Sequence, residues 1–475
     1  MAAPCITIDR SLSATTYQQI VARLREAMHS GVLLPGSRLP SARSLASQLG
    51  VARGTVDAAY AVLAGEGTIE TRGPAGSIVS PHLADRPKPP PQRTMPFAAG
   101  ADPFAGPLPF RMGLPALDAF PRKLWTGLTV RAARSLGRPL LDLPSAAGHA
   151  PLREAIAAYL GVARGVACSP SQVLVTGGFQ GALSLVAQVL LRPGDPVWVE
   201  DPGYFLARQR LEAAGVRLVP VRVDSEGLRV AAGKIAAPRA RLALVTPTHQ
   251  SPLGAALSLP RRLALLAWAA EAGAWILEDD YDSEFRYTGH PLPALKSLDR
   301  AERVLYAGSF SKVLFPGLRL GYLVVPDELA DAFRRASRQM QSGQPLLEQA
   351  VTADFLAEGH FARHLRRMRA LYASRRKALA AALQAAFGTG IQLELADGGM
   401  HLLARFPDGP DDGTLARRAA AAGLAPTALS SLSVAHDCGQ GLLLSFTNIA
   451  ESEAPALAAR LAAALELSNA PADAA

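Results

Sequence analysis

A proline-rich stretch divides this chain and is the feature that most constrains its fold. The segment "PHLADRPKPPPQRTMP" begins at Pro81, and proline stays frequent as far as Pro109. Proline has no backbone N–H and a fixed φ, so this segment suits neither a helix interior nor a central strand. We therefore predict a semi-extended linker over residues 81–108, between domains over residues 1–80 and 109–475.

Length and composition agree with that division. The 475 residues exceed what one hydrophobic core usually organises, and 49% are hydrophobic while 19% are charged. No apolar run approaches the ~18 residues of a membrane helix, and the N-terminal "MAAPCITIDRSLS" has no signal-peptide core, so we expect a cytoplasmic protein. The three cysteines indicate neither a disulfide framework nor a metal site. The net charge of +9 permits nucleic-acid binding without establishing it.

The first eighty residues, which we call the head, carry the pattern of a winged helix-turn-helix. Apolar residues repeat at helical spacing from Tyr17 to Met28. The stretch "LPSARSLASQLGVARGTVDAAYAVLAGEG" then predicts two helices around a tight turn. Ser41 caps the first, Gly50 ends it, and the second begins near Arg53. Finally, "TIETRGPAGSIVS" alternates around a Gly-Pro-Ala-Gly turn, which predicts a β-hairpin.

The head also supplies candidate DNA contacts. Arg53 and Thr55 open the second helix of the turn, the end that enters the major groove, where an arginine reaches guanine O6 and N7 with two bonds. The other candidates, for the DNA backbone and for a wing beside the minor groove, are Ser41, Arg43, Arg72 and Gly76. Residues 1–80 hold seven basic and five acidic side chains, a difference of only +2. The positive charge of the head is therefore positioned rather than abundant.

Beyond Pro109, in what we call the effector domain, short apolar runs alternate with helical patterns. The strand candidates are Val173–Thr176, Val197–Glu200, Leu242–Thr246, Trp275–Glu278, Val304–Ala307 and Leu320–Val324. A helix is predicted over Arg261–Ala272, and a long basic helix from about Phe361 precedes an α+β pattern. This alternation predicts an α/β domain with a largely parallel sheet and a smaller C-terminal subdomain.

Two stretches after strand candidates suit a planar, phosphorylated ligand. "VTGGFQGAL" (175–183) is a strand, a glycine pair and a helix start, where backbone N–H groups bind phosphate. Tight packing of the strand against the helix is the alternative. "EDPGYFLAR" (200–208) places Tyr204 just past a strand end, where its ring could cover a planar ligand. An ordinary core tyrosine is the alternative.

Two further stretches carry ionisable groups. In "WILEDDYDSEFRY" (275–287), a predicted buried strand is followed by several carboxylates. Burying these charges costs free energy unless a cation pairs with them. A metal is one alternative, but no His or Cys ligand set accompanies them, and we predict none. "SFSKVLFPGLRLG" (309–321) holds Lys312, one of six lysines among 49 basic residues. A snorkelling side chain is one explanation, and chemistry that requires an amine is the other. The hydroxyls and Arg319 beside it suit a phosphate next to a reactive amine.

A cofactor with an aldehyde, a phosphate and a ring nitrogen would use all four stretches. The spacing of Asp279, Tyr281, Lys312 and Arg319 resembles that of the fold-type-I aminotransferases, which use pyridoxal 5′-phosphate. With "TPTHQSPLG" and "EDDYDSEFRY", the pattern resembles more narrowly the aminotransferase-like half of MocR regulators. The head resembles the GntR-type winged helix that those regulators carry. The resemblance covers nearly the whole chain.

The resemblance implies a role for each residue of the effector domain's site. Lys312 would form the Schiff base, Asp279 would pair with the pyridine nitrogen, Tyr281 would meet the phenolic oxygen, and Tyr204 would stack on the ring. His249 occupies the region where aminotransferases have an asparagine near the ring oxygen. The residues implied around the phosphate are Gly178, Phe179, Gln180, Ser309, Ser311 and Arg319. The family also implies a head-to-tail homodimer that binds operator DNA and a small-molecule effector.

Two departures from the aminotransferase pattern bear on activity. Leu141 and Leu143 lie where a partner-subunit tyrosine often reaches the phosphate. In "GLLLSFTNIAE", Leu443 stands where the enzymes place the arginine that holds the substrate carboxylate. Arg208 and Arg405 are the candidates to replace it.

These patterns lead to one main hypothesis and two alternatives. The main one is a transcriptional regulator of the MocR type that binds pyridoxal phosphate and senses an amine, an amino-acid-like ligand or the cofactor itself. The first alternative is an active aminotransferase with a fused DNA-binding module, which Leu443 disfavours. The second is a regulator that has lost its cofactor, which Lys312 and Asp279 disfavour.

Overall fold

The computed structural model describes residues 7–9, 14–85, 108–289, 292–341 and 343–466. Most of the predicted linker, residues 86–107, lies outside the described residues. The chain divides into two compact units, Met1–Pro103 and Phe104–Ala475. Within the described ranges, no helix is both long enough and apolar enough to span a bilayer.

The head is a helix, a helix-turn-helix and a hairpin, as the sequence predicts. Its elements are α1 (Thr16–His29), α2 (Ala42–Leu49), α3 (Arg53–Gly65), β1 (Ile69–Thr71) and β2 (Ser77–Val79). The Ser41 hydroxyl accepts the backbone N–H of Ser44 at 3.1 Å and caps α2. Gly50, with a φ of 63°, ends that helix in the left-handed region. A separate apolar core that includes Ile20, Leu24 and Val56 holds these elements together.

Eight strands form the large sheet of the effector domain. They are β3 (Val173–Thr176), β4 (Pro196–Asp201), β5 (Arg217–Asp224), β6 (Gly227–Leu228), β7 (Leu242–Val245), β8 (Trp275–Asp280), β9 (Val304–Ser309) and β10 (Gly321–Val324). Their order across the sheet is β3-β10-β9-β8-β7-β4-β5-β6. The neighbouring strands β9, β8, β7, β4 and β5 pair in parallel. By contrast, β10 is antiparallel to both of its neighbours, and β6 is antiparallel to β5. The predicted α/β sheet is confirmed, as a mixed sheet with a parallel centre.

The sequence patterns do not predict β5. Its residues, RLVPVRVD, place arginine and proline at positions that are exposed or half-buried. A proline and several charges among alternating residues are typical of a loop or an edge strand. In the sheet, β5 lies next to the edge, where only the two-residue β6 follows it. Its apolar alternate residues are nevertheless buried, and they complete the sheet.

Helices pack on both faces of this sheet. The helices of this part of the chain are α4 (Arg122–Ser135), α5 (Ala150–Arg164), α6 (Gly178–Leu190), α7 (Phe205–Ala213), α8 (Val230–Ala236), α9 (Leu259–Ala272), α10 (Phe310–Val313), α11 (Ala330–Gln341), α12 (Leu346–Ala357) and α13 (His360–Phe387). Side chains of α6, α7 and α11 share one apolar cluster with the sheet. Those of α8 and α9 share another, on the opposite face. Alternate strand residues therefore belong to different cores, as in other three-layer domains.

The C-terminal residues form the smaller subdomain. It contains β11 (Gln392–Glu394), β12 (His401–Arg405), α14 (Asp412–Ala421), β13 (Thr427–Ala428), β14 (Leu442–Ser445) and α15 (Ala454–Leu465). Its four strands are antiparallel in the order β11-β12-β14-β13. Leu442 and Leu444 face the main core, whereas Leu443 points to the other side of the sheet. That alternation decides what Leu443 contacts.

Candidate functional site

The large sheet brings the predicted cofactor residues to one edge. Parallel strands end at the same edge of a sheet, and ligands of α/β domains bind there. Asp279 lies near the end of β8 in register with Ala307 of β9, and Lys312 follows β9 in the short helix α10. Residues that are distant in sequence thus meet at the carboxyl ends of β8 and β9.

Lys312 is held by a backbone carbonyl. Its Nζ donates to the carbonyl oxygen of Gly113 at 3.0 Å. Burial lowers the pKa of Lys312, while Asp279 and Asp282 oppose that shift. A lowered pKa increases the neutral, nucleophilic fraction of an amine. Gly113 has a φ of 77°, and a Cβ there would lie 2.4 Å from Nζ, so this position requires glycine. The sequence analysis missed Gly113, because nothing in "RMGLP" connects it with a lysine 199 residues away.

Asp279 differs from the other carboxylates of its stretch. Glu278 accepts two backbone N–H groups, at 2.8 Å each, and Asp280 pairs with Arg164 at 2.7 Å. Asp282 contacts His249 at 3.1 Å. Among the described residues, the Asp279 carboxylate has no hydrogen-bond partner, although the residue is only 7% exposed. An unpaired buried carboxylate requires a cation, which a protonated ring nitrogen would supply.

Burial and neighbouring carboxylates disfavour the charge of Asp279. Burial raises the pKa of Asp279 well above its usual value, and the neighbouring carboxylates Asp280, Glu200 and Asp282 raise it further. Lys312 is the group that lowers it. A second cation at this place would therefore stabilise the ionised carboxylate.

Glycines bring Arg319 close to the first turn of α6. Gly178 has a φ of 74°, and a Cβ on Gly321 would lie 2.9 Å from the Gly178 Cα. One guanidinium nitrogen of Arg319 donates to the carbonyl of Gly177 at 3.3 Å. The backbone of Arg319 is itself left-handed, with a φ of 51°. The predicted cation thus lies beside the N-terminus of α6, where helix N–H groups attract an anion.

Further donors lie on the same elements. The Gln180 Nε2, in the first turn of α6, is buried without a hydrogen-bond partner among the described residues. The Ser309 hydroxyl accepts the N–H of Ser311 at 3.2 Å, which leaves both hydroxyl protons available. Phe179 packs against Tyr204, with ring centroids 6.2 Å apart. An unpaired amide, two hydroxyls, a guanidinium and a helix N-terminus suit a phosphate group.

Two tyrosines, whose pKa values burial raises, lie close enough to Asp279 for its charge to raise those pKa values further. Tyr204 immediately precedes α7, and burial raises its pKa to about 12. The Tyr281 hydroxyl lies 3.0 Å from the Nδ1 of His249, and the Ser251 side chain opposes the rise that burial causes in the pKa of Tyr281. Ser251 was not among the predicted residues. His249 was among the predicted residues, and it contacts Tyr281 and Asp282.

Leu443, for which the aminotransferase pattern predicts an arginine position, lies in an apolar cluster. Leu443 is fully buried and packs with Leu403 and Leu429. Met112 and Leu253 lie against the same cluster, and Met112 precedes the glycine that holds Lys312. A carboxylate at this place would lose its hydration without gaining a hydrogen bond.

Both candidate replacement arginines already have partners. Arg208 donates to the carbonyl of Gly203 at 3.1 Å and to that of Leu432. Arg405 forms an ion pair with Glu394 and donates to the Gln440 carbonyl at 2.9 Å. Recruiting either one for a ligand would require breaking these contacts.

A metal-binding alternative has no support in the described part of the chain. No group of three or more His, Cys, Asp or Glu side chains there could hold a metal ion. The carboxylates of residues 278–282 are instead separated by the strand, because successive side chains point to opposite faces of the sheet. Glu278 and Asp280 thus meet groups on one side, and Asp279 faces the other.

The head presents its candidate DNA contacts at its surface. Arg53 is the first residue of α3, and its side chain is 70% exposed beside Asp57. Arg43 is exposed on α2, and Thr55 is half-buried. Arg72 pairs with Glu70 at 3.2 Å next to the hairpin turn, where Gly76 has a φ of 87°. Ser41 already caps α2 through its hydroxyl oxygen.

Two family models match the chain. Residues 16–79 match "Bacterial regulatory proteins, gntR family". Residues 121–434 match "Aminotransferase class I and II". The first match coincides with the helix-turn-helix and hairpin, and the second covers the sheet that holds Lys312 and Asp279.

Individual relatives combine both parts. The chain is 38% identical to the probable rhizopine catabolism regulatory protein MocR of Rhizobium meliloti, over 94% of this chain and 92% of that protein. It is 35% identical to the pyridoxine biosynthesis transcriptional regulator PdxR of Corynebacterium glutamicum, over 87% of each. Among solved structures, it resembles LysN, the alpha-aminoadipate aminotransferase of Thermus thermophilus, complexed with N-(5′-phosphopyridoxyl)-L-leucine. That likeness has a TM-score of 0.69 at 32% identity and covers 76% of this chain and 92% of LysN.

Proposed function

Because the chain belongs to the MocR family of DNA-binding transcriptional regulators, we propose that its effector domain holds pyridoxal 5′-phosphate and uses it to sense a small ligand. The ligand would be an amine, an amino-acid-like molecule or pyridoxal phosphate itself. We place the head at residues 1–80, the linker at 81–108 and the effector domain at 109–475. The head would bind operator DNA, and the state of the effector domain would set its affinity.

One observation carries the cofactor proposal. Asp279 is a buried carboxylate without a hydrogen-bond partner among the described residues, and it lies at the same sheet edge as a lysine whose pKa is lowered. Without a bound cation this arrangement would be expensive. Pyridoxal phosphate would supply an aldehyde for the Lys312 amine and a protonated ring nitrogen for Asp279.

The remaining residues would orient the cofactor. Tyr204 would cover the ring, and Tyr281 would donate a hydrogen bond at the phenolic oxygen. The first turn of α6, Gln180 and Arg319 would hold the phosphate, in line with the unpaired Gln180 amide. The name of PdxR and the phosphopyridoxyl ligand of the LysN structure support this choice of cofactor.

A homodimer is part of the proposal. Leu141 and Leu143 are 87% and 80% exposed, unusually high values for two large apolar side chains near each other. Exposed apolar residues of this kind mark an interaction surface. In the family's head-to-tail dimer, this segment would approach the partner subunit's cofactor phosphate, with leucine contacts in place of a tyrosine hydroxyl.

The active-aminotransferase alternative predicts a different result in a simple assay. We expect common α-amino acids to convert the yellow cofactor slowly or not at all, because Leu443 offers no partner for their carboxylate. A charge-assisted bidentate hydrogen bond contributes about 3 kcal/mol. Without it, the rate of cofactor conversion should be on the order of 100-fold below that of the aminotransferases. Absorbance after mixing holoprotein with a panel of amino acids measures this. Rapid conversion by an ordinary α-amino acid would favour the aminotransferase.

DNA recognition by the head can be tested at one side chain. Arg53→Ala should lower operator affinity by about 1–3 kcal/mol and relax specificity at one base pair, because a bidentate contact to guanine would be lost. Binding to operators substituted at each position measures this. The Arg53–Asp57 pair is exposed, so its loss should leave the stability of the head nearly unchanged.

Arg43→Ala is the matched control. A contact to phosphate is independent of sequence, so this variant should weaken binding to all operators alike and reduce the salt slope by about one. Equal, sequence-independent losses in both variants would show that Arg53 does not read a base.

A further inference from the structure

His249 lies between a carboxylate and the tyrosine of the cofactor site. Its Nδ1 is 3.1 and 3.2 Å from the two carboxylate oxygens of Asp282, and 3.0 Å from the Tyr281 hydroxyl. Asp282 is 1% exposed and His249 is 8% exposed. One ring nitrogen therefore faces two groups in a nearly dry environment.

The second ring nitrogen decides which one carries the proton. The His249 Nε2 is buried and has no hydrogen-bond partner among the described residues. Gly254 and Gly399 enclose it, since Cβ atoms there would lie 3.1 and 2.6 Å from Nε2. A proton on Nε2 would have no acceptor, while the bare Nδ1 would face a carboxylate. A proton on Nδ1 instead meets Asp282 directly, so the Nδ1–H tautomer is favoured.

A second histidine lies close to His249. His401, on β12, has its ring 6.1 Å from that of His249, and burial lowers its pKa to about 4. Its Nε2 lies 2.8 Å from the Pro252 carbonyl, which places its proton on that nitrogen. Tyr281 and Asp282 after β8, His401 on β12 and the glycines 254 and 399 all lie close to the His249 ring. Two neighbouring histidines thus have opposite tautomers.

This geometry sets the direction of the Tyr281 hydroxyl proton. A protonated Nδ1 cannot accept a hydrogen bond from Tyr281, and it donates toward the carboxylate and the phenol oxygen instead. The Ser251 hydroxyl can rotate to donate to the same phenol oxygen. When the Nδ1–H and the Ser251 hydroxyl both donate to the phenol oxygen, the Tyr281 proton is available for another acceptor.

We infer that Asp282 and His249 are positioning residues that make Tyr281 a hydrogen-bond donor to the phenolic oxygen of the cofactor. The inference rests on the proposed pyridoxal phosphate site. A hydrogen bond at that oxygen withdraws negative charge that otherwise holds a proton on the Lys312 nitrogen. Through Tyr281, the pair would thereby lower the pKa of the Lys312 nitrogen in the holoprotein.

The tautomer is testable without the cofactor. Apoprotein labelled with 15N in its nine histidines should show one ring with a protonated Nδ1 and a bare Nε2, a signal that is absent from His249→Phe. The His401 ring should show the opposite tautomer and disappear in His401→Phe. A His249 ring protonated at Nε2 would overturn the inference, whether or not the protein binds pyridoxal phosphate.

The effect on Lys312 is tested in the yellow holoprotein. We expect His249→Phe and Tyr281→Phe each to raise the pH midpoint of the absorbance change by about one unit. The double variant should shift no further than Tyr281→Phe alone, because His249 acts through Tyr281. Asp282→Asn should shift the midpoint in the same direction, and the control His401→Phe should leave it within a few tenths of a unit.

The outcomes separate the inference from the proposed function. An unchanged midpoint in His249→Phe, or shifts that add fully in the double variant, would overturn the role of His249 while leaving the cofactor site intact. A merely structural role would change stability or cofactor retention without this dependence on Tyr281. A wild-type protein that takes up no pyridoxal phosphate would overturn the proposed function and, with it, the role of His249 toward the cofactor. The tautomer of His249 in the apoprotein would still test the pairing of its Nδ1–H with Asp282.

Discussion

The Lys312→Ala protein should carry no covalently bound cofactor after borohydride reduction, whereas the unchanged protein should carry it on Lys312 alone. Reduction fixes a pyridoxal group only where an amine has condensed with the aldehyde, and Lys312 is the amine at the edge that holds Asp279. Peptide mass after digestion measures the position of the label. The variant should remain folded, because the lost hydrogen bond to Gly113 is worth about 1 kcal/mol and Asp279, whose pKa is raised, can take up a proton when Lys312 is absent.

Two other lysines serve as controls for that result. Lys234 lies at the surface, 3.7 Å from Glu271, and Lys234→Ala should label like the unchanged protein. Lys296 donates to the Val304 carbonyl at 2.6 Å and should stay unlabelled. A label on Lys296, or a yellow protein that still reduces covalently without Lys312, would contradict the assignment.

A protein that lacks residues 1–80 should lose operator binding completely and remain yellow. The candidate DNA contacts all lie within the head, and the apolar core of the head is separate from the cores of the effector domain. Removing the head therefore leaves the sheet that holds Lys312 and Asp279 unchanged. Mobility shift on operator DNA and absorbance of the same preparation measure both properties.

The full-length protein with Arg53→Ala is the control for that truncation. It should keep weak, salt-dependent DNA binding, because its phosphate contacts remain. Operator binding that survived the truncation would contradict the assignment of the head. Loss of the yellow colour on truncation would instead mean that the effector domain depends on residues 1–80 for its fold.

Local patterns were sufficient wherever the physical cause is local. Ser41 and Gly50 act within one helical turn, so the bounds of α2 were readable from the sequence. The strand that brings Asp279 to the sheet edge and the lysine after the next strand were also readable. Apolar runs bounded by polar residues predict strands, and parallel strands end at one edge. The family resemblance then supplied roles for those residues, which spacing alone does not.

The failures have physical reasons as well. The strand β5 (Arg217–Asp224) went unpredicted because its charges and proline suit its place near the sheet edge, and only the neighbouring strands reveal that place. Arg208 and Arg405 were named as candidate replacements for an arginine, but both are already bound to other groups. Neither set of partners has a local signature.

By itself the sequence determined the two-part organisation, the helix-turn-helix, the α/β class and the positions of Lys312, Asp279 and Arg319. These depend on composition, periodicity and strand order, which are properties of neighbouring residues. Only the tertiary structure decided that Gly113 holds Lys312, that Asp279 has no hydrogen-bond partner among the described residues, and that Asp282 contacts His249. These are contacts between separate segments in a nearly dry site, where hydrogen-bond geometry determines which group is charged and which nitrogen holds the proton.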